Sequence, residues 1–320
     1  MHYPDVEGVK ADQVNFAAAY CRNILCDGRP DGCFVIIYDA DSRPSLETIR
    51  AFAQAIALHR KVDIFHQSSR FEVRGELPKR AGILGPISNA LAESSALRAN
   101  RFVMAYELPR LMRRLTSETL ISSYVYTHIT GHGLCIRLSF LCDLPLPALT
   151  ALEDMYYSFI ICARNLPMVP VPALDCSEVP RSVGVQFRQL SRWFFGPARF
   201  LMYLRDPAVP PGLRSYALAA SAAGITVEWL YCGVAVPVLL AGICWGDRGA
   251  LPLTGVFLVV YTSQLVAVDC YLAPAAPLIS RLLRLAAYPF VFMLFGLAGM
   301  SGLFQFLRGQ SGSGKTERHI

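Results

Sequence analysis

The chain has 320 residues, of which 53% are hydrophobic and only 17% are charged, and its mean hydropathy is +0.37. This apolar content is high for a soluble domain and argues against a wholly soluble protein. Charged residues occur along the chain as far as about Arg214 and become scarce after it. The pattern predicts a water-soluble part followed by a membrane part.

The net charge is +6, but the basic residues form no stripe interleaved with aromatic side chains. Many lie between Arg181 and Arg214, directly before the apolar region. The cytoplasmic flanks of membrane helices collect Lys and Arg in this way. We therefore expect contact with a lipid bilayer and no nucleic-acid partner.

The ten cysteines include no pair separated by two residues. Scattered cysteines of this kind argue against a zinc site or a disulfide framework and fit a reducing compartment. Residues 1–9 are polar and acidic and carry no signal-peptide pattern.

Apolar spacing along the first half predicts both strands and helices, and hence an α/β domain. An apolar run at residues 32–38 predicts a buried strand that ends at Asp39. The remaining predicted elements are a helix at 45–60, strands at 62–71 and 124–137, a helix at 153–164 and an extended segment at 167–175.

Two apolar stretches, residues 225–245 and 253–272, are each long enough to cross a hydrocarbon core of roughly 30 Å. A third, residues 285–307, contains Pro289 and three glycines. We expect this third stretch to bend back or lie along the interface; the alternative is a plain third crossing. Before them, residues 186–206 mix arginines with Trp and Phe, which predicts an interfacial amphipathic helix or, alternatively, a buried one.

Three motifs carry candidate chemistry. Asp39-Ala-Asp41 follows the predicted strand and could hold a hard divalent cation, although a solvated turn has the same composition. Glu153 and Asp154 open a predicted helix, where they could supply a general base or simply cap the first turn. Gln189-Leu-Ser-Arg192-Trp193 places an amide, a guanidinium and an indole within about one helical turn.

In this order the three motifs resemble those of the membrane-bound family 2 glycosyltransferases, the cellulose, chitin and hyaluronan synthase-like enzymes. Three further segments support the resemblance: Lys10-Ala-Asp-Gln-Val-Asn15-Phe-Ala17, Gly131-His-Gly133-Leu-Cys-Ile-Arg137 and Lys315-Thr-Glu-Arg318. The resemblance implies a partial GT-A-type, Rossmann-like domain followed by transmembrane helices.

The resemblance also implies an inverting transfer of sugar from a nucleotide-sugar, such as a UDP-sugar, to a saccharide or lipid-linked acceptor. It implies that Asp39 and Asp41 bind Mg²⁺ or Mn²⁺ and that Asp154 is the general base. The donor would be bound by Lys10, Asn15 and Arg192. The acceptor would be bound by Gln189, Trp193, Glu153 and His132. For His132 a purely structural hydrogen bond is an equal alternative.

The implied organisation is a catalytic domain at residues 1–185, an interfacial region at 186–214, a membrane region at 215–307 with two or three helices, and a flexible cytoplasmic tail at 308–320. A multi-pass membrane protein with a cytoplasmic catalytic domain, as in a bacterial inner membrane, follows from this arrangement.

One departure from the family pattern concerns the first two strands, which should lie upstream of Lys10, where only nine residues stand. We expect either a longer natural start, a partner chain that supplies the missing half, or a non-catalytic membrane-bound remnant or subunit.

Residues 309–316 match the phosphate-binding pattern GxxxxGK[ST]. Such a loop works only between a strand and a helix, and here an apolar stretch precedes it and four residues follow it. The match therefore predicts a flexible tail and not a nucleotide site.

Overall fold

The structure is a computed structural model, and it describes residues 9–24, 26, 29–39, 42, 44–73, 84–116, 124–147, 152–246 and 249–309. Asp41, Lys315 and Arg318 lie outside these ranges, so the predictions made for them are not addressed by the structure.

The chain divides into two compact units. The first takes the residues up to Arg70 together with Glu107–Cys176 and Arg199–Ala223. The second takes Phe71–Tyr106, Ser177–Ala198 and the residues from Gly224 onward.

The described strands are β1 (Phe34–Ile37), β2 (Ile64–His66), β3 (Ser69–Glu72), β4 (Leu134–Arg137), β5 (Val169–Pro170) and β6 (Asp175–Glu178). The described α-helices are α1 (Lys10–Ile24), α2 (Leu46–Leu58), α3 (Leu84–Phe102), α4 (Leu108–Thr116), α5 (Leu138–Asp143), α6 (Glu153–Ala163), α7 (Val183–Trp193), α8 (Phe195–Ala198), α9 (Phe200–Tyr203), α10 (Leu213–Trp245), α11 (Ala250–Leu272) and α12 (Leu278–Leu307). A 3₁₀ turn covers Pro30–Gly32, and a π-helical segment, Val103–Glu107, joins α3 to α4.

The mixture of helices and strands confirms the α/β expectation. Four strands form one sheet in the order β1-β4-β2-β5, with β4 antiparallel to both neighbours and β2 parallel to β5. The register places Val35 and Ile64 on either side of Ile136. A core of Phe52, Ala55, Phe65, Cys135 and Val169 packs α2 on this sheet. The remaining strands, β3 and β6, pair with each other.

Two of the predicted helices, α2 and α6, lie where the sequence predicts them. α2 begins after Ser45, whose side chain accepts a hydrogen bond from the Thr48 amide as an N-cap. α6 occupies the range predicted for it, ending at Ala163. The predicted strand at 62–71 is instead two short strands, and only the last four residues of the predicted strand at 124–137 are extended. One reason is Gly133, whose φ of +68° lies outside the strand region.

Neither α3 nor α4 was predicted. α3 is rich in Ala and Ser and shows no continuous apolar stripe. α4 does have apolar residues at helical spacing, Leu108, Leu111, Met112 and Leu115, and this signal was missed. The predicted single helix at 186–206 is three short helices, α7, α8 and α9. Phe194, Phe195 and Phe200 are buried inside the protein. For these side chains the alternative prediction, a buried helix, agrees with the structure. A position at the membrane interface stays a prediction.

Three helices are long and apolar enough to cross a membrane: α10 with 33 residues, α11 over Thr254–Leu272, and α12 with 30 residues. Their length and composition suggest a membrane protein. α10 begins at Leu213, before the predicted start at 225. The expected bend at residues 285–307 is wrong for this structure, since α12 is continuous through Pro289.

The glycines of α12 are sites of close packing and not of bending. A Cβ at Gly296 would overlap the backbone of Gly233 in α10, and one at Gly299 would lie 3.0 Å from the Trp229 ring.

A buried charge cluster fixes the facing ends of α11 and α12, where Asp269 pairs with Arg281 at 2.9 Å and with Arg284 at 2.8 Å. Because Asp269 is only 3% exposed, these partners offset the cost of burying its charge.

Candidate functional site

A cluster of polar residues in the first unit surrounds the glycine-rich segment 130–133. The Gly131 amide donates to Asp154 Oδ2 at 2.9 Å, and the Gly131 carbonyl accepts from Lys10 Nζ at 2.5 Å. Gly133 donates its amide to the Ile37 carbonyl at 2.9 Å, which ties the segment to the end of β1. A side chain at Gly133 would meet the Gln67 carbonyl at 2.6 Å, so this close approach requires glycine.

Asp39 lies at the centre of this cluster. Lys10 Nζ lies 2.6 Å from Asp39 Oδ1, and His132 Nδ1 lies 3.7 Å from Asp39 Oδ2. The opposite ring nitrogen of His132 is hydrogen-bonded to Ser69. Burial is the largest cause of the lowered pKa of His132, and the charge of Asp39 only partly opposes it. The imidazole is therefore neutral at physiological pH and acts through hydrogen bonds.

Glu153 and Asp154 begin α6 beside the glycine-rich segment. Both oxygens of Asp154 accept backbone hydrogen bonds, Oδ2 from Gly131 and Oδ1 from Met155 at 2.8 Å. The Glu153 side chain is 9% exposed, with Oε1 3.9 Å from Lys10 Nζ. Burial, and next the negative charge of Asp154, raise the pKa of Glu153 to about 7, although Lys10 opposes the shift. A carboxyl group with this pKa can exchange a proton near neutral pH.

Asn15 fixes α1, the helix that carries Lys10. Its amide donates to the Leu146 carbonyl at 2.8 Å and accepts from the Leu146 amide at 2.9 Å. Both ends of the Asn15 side chain are thus engaged with backbone, which positions Lys10 against Asp39. Its predicted contact with a donor stays a prediction.

The donor set for a divalent cation is only partly within the described residues. Among them, no group of three or more His, Cys, Asp or Glu side chains could hold one metal ion. Asp39 offers hard oxygen donors, which suit Mg²⁺ or Mn²⁺, and its side chain is 42% exposed. The Lys10 ammonium, however, occupies the position beside Asp39 Oδ1 that a cation would take.

A fully buried pair behind the glycine-rich segment was not predicted. His66 Nε2 lies 3.2 Å from Glu107 Oε1, and the Ser68 hydroxyl donates to the same oxygen at 2.5 Å. Burial opposes ionisation of Glu107, yet the hydrogen bonds and charge of the neighbouring side chains lower its pKa overall. Thr130 Oγ1, 3.5 Å from His66, connects the pair to the segment. The only sequence signal was the polar run 66–69 inside a predicted strand.

The third motif lies in the second unit. Gln189 and Trp193 occupy the same face of α7, one helical turn apart, and both line a groove. Arg192, half-buried, is not among the lining residues. The groove is lined by Phe71, Ser95, Arg98, Ala99, Glu178, Val179, Pro180, Gln186, Gln189, Leu190, Trp193, Val291 and Leu294.

Comparison of the chain with protein-family models gives no match, and comparison with curated proteins finds no significant relative.

Proposed function

We propose that the protein is an inverting glycosyltransferase that moves a sugar from a nucleotide-sugar donor to an acceptor at a membrane, with a partial GT-A-type fold. The observation that carries the proposal is the meeting of separate motifs at one cluster. Lys10 bonds to Gly131, which is 121 residues away in the chain, and to Asp39. The family resemblance implies one active site for these same segments.

For the donor, the resemblance implies roles for Asp39, Asp41, Lys10 and Asn15 in the first unit and for Arg192 in the second. A divalent ion held by the aspartates would supply charge stabilisation for the departing nucleoside diphosphate. Lys10 supplies a fixed positive charge within reach of the cluster, and its bond to the Gly131 carbonyl holds it in place. Electrostatic stabilisation from such preplaced groups needs little reorganisation during reaction.

The proton from the acceptor hydroxyl goes to the pair of carboxyl groups at the start of α6. Asp154 is the proposed base, because its bonds to two backbone amides fix its direction. Glu153 and Asp154 are adjacent and interact, so their protonation belongs to the pair and not to either residue alone. The raised pKa of Glu153 supports proton exchange at this position near neutral pH.

For the acceptor, the resemblance implies roles for His132 and Glu153 in the first unit and for Gln189 and Trp193 in the second. An indole offers a flat apolar face on which a sugar ring can stack, and an amide can donate to and accept from hydroxyls. The groove that Gln189 and Trp193 line supports this part of the proposal.

The proposed location is a multi-pass position in a membrane, with the catalytic part on the cytoplasmic side, as in a bacterial inner membrane. The three apolar helices and the basic residues before them support it.

The alternative is a non-catalytic membrane-bound remnant or subunit of such an enzyme. The observation that favours it is the Lys10–Asp39 ion pair, because it occupies an oxygen that the proposed metal needs. The active enzyme and the non-catalytic remnant would have the same fold, and only the enzyme would transfer sugar.

The test uses the full chain in phospholipid nanodiscs, incubated with UDP-sugars, Mg²⁺ or Mn²⁺ and membrane extract. Released UDP should require the metal, and Asp154→Asn should lower turnover by about 10²–10⁴-fold, the usual contribution of a positioned base. Asp143→Asn, an exposed change at the end of α5, is the matched control. Absence of any metal-dependent UDP release would support the remnant, and full activity of Asp154→Asn would remove Asp154 as the base.

A further inference from the structure

Two cysteine side chains that the proposed reaction does not use meet in the first unit. Cys26 follows the end of α1, and Cys33 directly precedes β1. Their sulfur atoms lie 2.7 Å apart. A disulfide bond is about 2.05 Å long, so only a small approach of the two side chains separates this thiol pair from a covalent bond.

Backbone hydrogen bonds hold both cysteines in place. The Cys26 amide donates to the carbonyl of Cys21, in the last turn of α1, at 3.2 Å, and the Cys26 carbonyl accepts from the Arg29 amide at 2.7 Å. The Cys33 carbonyl accepts from the amide of Leu138, the first residue of α5, at 2.8 Å. The meeting of the two sulfurs is therefore a property of the folded backbone around them.

The surroundings of the pair favour oxidation over metal binding. Both thiols are partly exposed, so a small oxidant can reach them. A structural zinc site needs four ligands, and in the described part of the chain no group of three or more His, Cys, Asp or Glu side chains could hold a metal ion. In the reducing compartment that the cysteine pattern favours, such a pair stays reduced until an oxidant rises, as in redox-sensing sites.

We propose that Cys26 and Cys33 are a redox modification site that closes to a reversible disulfide by exchange with a small disulfide, such as glutathione disulfide. One cysteine thiolate attacks the glutathione disulfide, which forms a mixed disulfide and releases one glutathione. The second cysteine thiolate attacks the cysteine sulfur of the mixed disulfide and releases the second glutathione. Two protein thiols are thereby oxidised to one disulfide, and one glutathione disulfide is reduced to two thiols, which take up the two protons.

The new bond joins the end of α1 to the start of β1. Lys10 begins α1, and Asp39 lies two residues beyond β1. The disulfide therefore restrains the two elements whose ion pair lies in the candidate site. Its formation is independent of the proposed sugar transfer and can be measured without it.

The test follows the thiols of the full chain in phosphatidylcholine nanodiscs. The protein is equilibrated with a fixed concentration of glutathione and rising glutathione disulfide, quenched with acid, unfolded, labelled with N-ethylmaleimide and digested with trypsin. Since Arg29 and Arg43 both precede proline, where trypsin does not cleave, residues 23–50 form one peptide with Cys26 and Cys33 as its only cysteines. The mass of this peptide should pass from two maleimides to none.

Three controls separate the folded pair from other thiols. A synthetic peptide of residues 23–50 should need at least about 10-fold more glutathione disulfide, because no fold holds its sulfurs together. Cys26→Ser and Cys33→Ser should form only the mixed disulfide, also at concentrations at least about 10-fold higher. Cys21→Ser removes the neighbouring cysteine of α1 and should leave the titration unchanged.

Three results would overturn the proposal. The first is a peptide 23–50 that keeps both maleimides at concentrations that oxidise the synthetic peptide. The second is closure of the protein and of the synthetic peptide at the same concentration, which would remove the role of the fold. The third is a covalent link between peptides 11–22 and 23–50, because it would make Cys21 the partner.

Discussion

Replacing Glu153 by Gln should stabilise the first unit at alkaline pH, although it should impair the proposed reaction. The carboxyl group has a pKa of about 7 in the folded protein, against an ordinary value of 4.5. The unfolded chain therefore loses this proton near pH 4.5, and the folded chain keeps it until about pH 7. Since the folded state binds more protons in this window, its stability falls as pH rises through it.

The size of the effect follows from the two pKa values. A difference of about 2.5 corresponds to about 3 kcal/mol at 1.36 kcal/mol for each pKa unit. This penalty is absent below pH 4.5 and complete above about pH 7. Glutamine carries no charge at either pH. The free energy of unfolding of Glu153→Gln should therefore rise above that of the natural chain between about pH 4.5 and pH 7, and the difference should stay constant at higher pH.

In a chain that keeps only Cys135 and Cys162, thiol labelling can measure unfolding of the first unit by itself. Cys135 and Cys162 are buried there, so a maleimide reacts with them only when the unit opens. Labelling should be slower in Glu153→Gln than in the natural chain at pH 8, and the two should converge toward pH 5. Glu47→Gln, an exposed change on α2, is the control and should show no such dependence. If Glu153→Gln labels faster at pH 8, the carboxyl group is not penalised by burial and the reasoning is refuted.

Two further outcomes test the segment at 130–133 and the membrane helices. Gly133→Ala should lower the free energy of unfolding by at least about 1–2 kcal/mol, because φ is +68° and the new Cβ meets the Gln67 backbone. Gly32→Ala is the control, because Gly32 has open space around it and its replacement should lower the free energy of unfolding far less. Thermal unfolding of both variants measures the difference. In a chain without its native cysteines, Gly249→Cys and Gly309→Cys should label from one side of the membrane and Gly212→Cys from the other. Labelling of positions 249 and 309 from opposite sides would exclude three full crossings.

Elements with strong local signals could be predicted from the sequence. α2 has apolar positions at helical spacing and a serine cap, and the run at 32–38 led to β1. α3 could not be predicted, because its sequence carries no apolar stripe and the helix is stabilised by packing against α12, α11 and α7.

In the candidate site, too, some features could be predicted from the sequence and others could not. The family resemblance implied that Lys10, Asp39 and Asp154 belong to one site, and the structure places them around one glycine-rich segment. Their catalytic roles stay a prediction. The buried pair of His66 and Glu107 was not foreseeable. Its members are 41 residues apart, and the π-helical segment that ends at Glu107 changes the direction in which the helix presents its side chains.

The glycines of α12 explain why its predicted bend is absent. Gly296, Gly299 and Gly302 are three residues apart, and an α-helix turns about 100° per residue, so each step rotates the glycine face by about 60°. The first therefore meets Gly233 of α10, and the last meets the backbone of Ser191 in α7. A glycine in an apolar helix lets another backbone approach closely as readily as it permits a break. The regular spacing, rather than the presence of glycine, is the signal that favours close packing of a continuous helix.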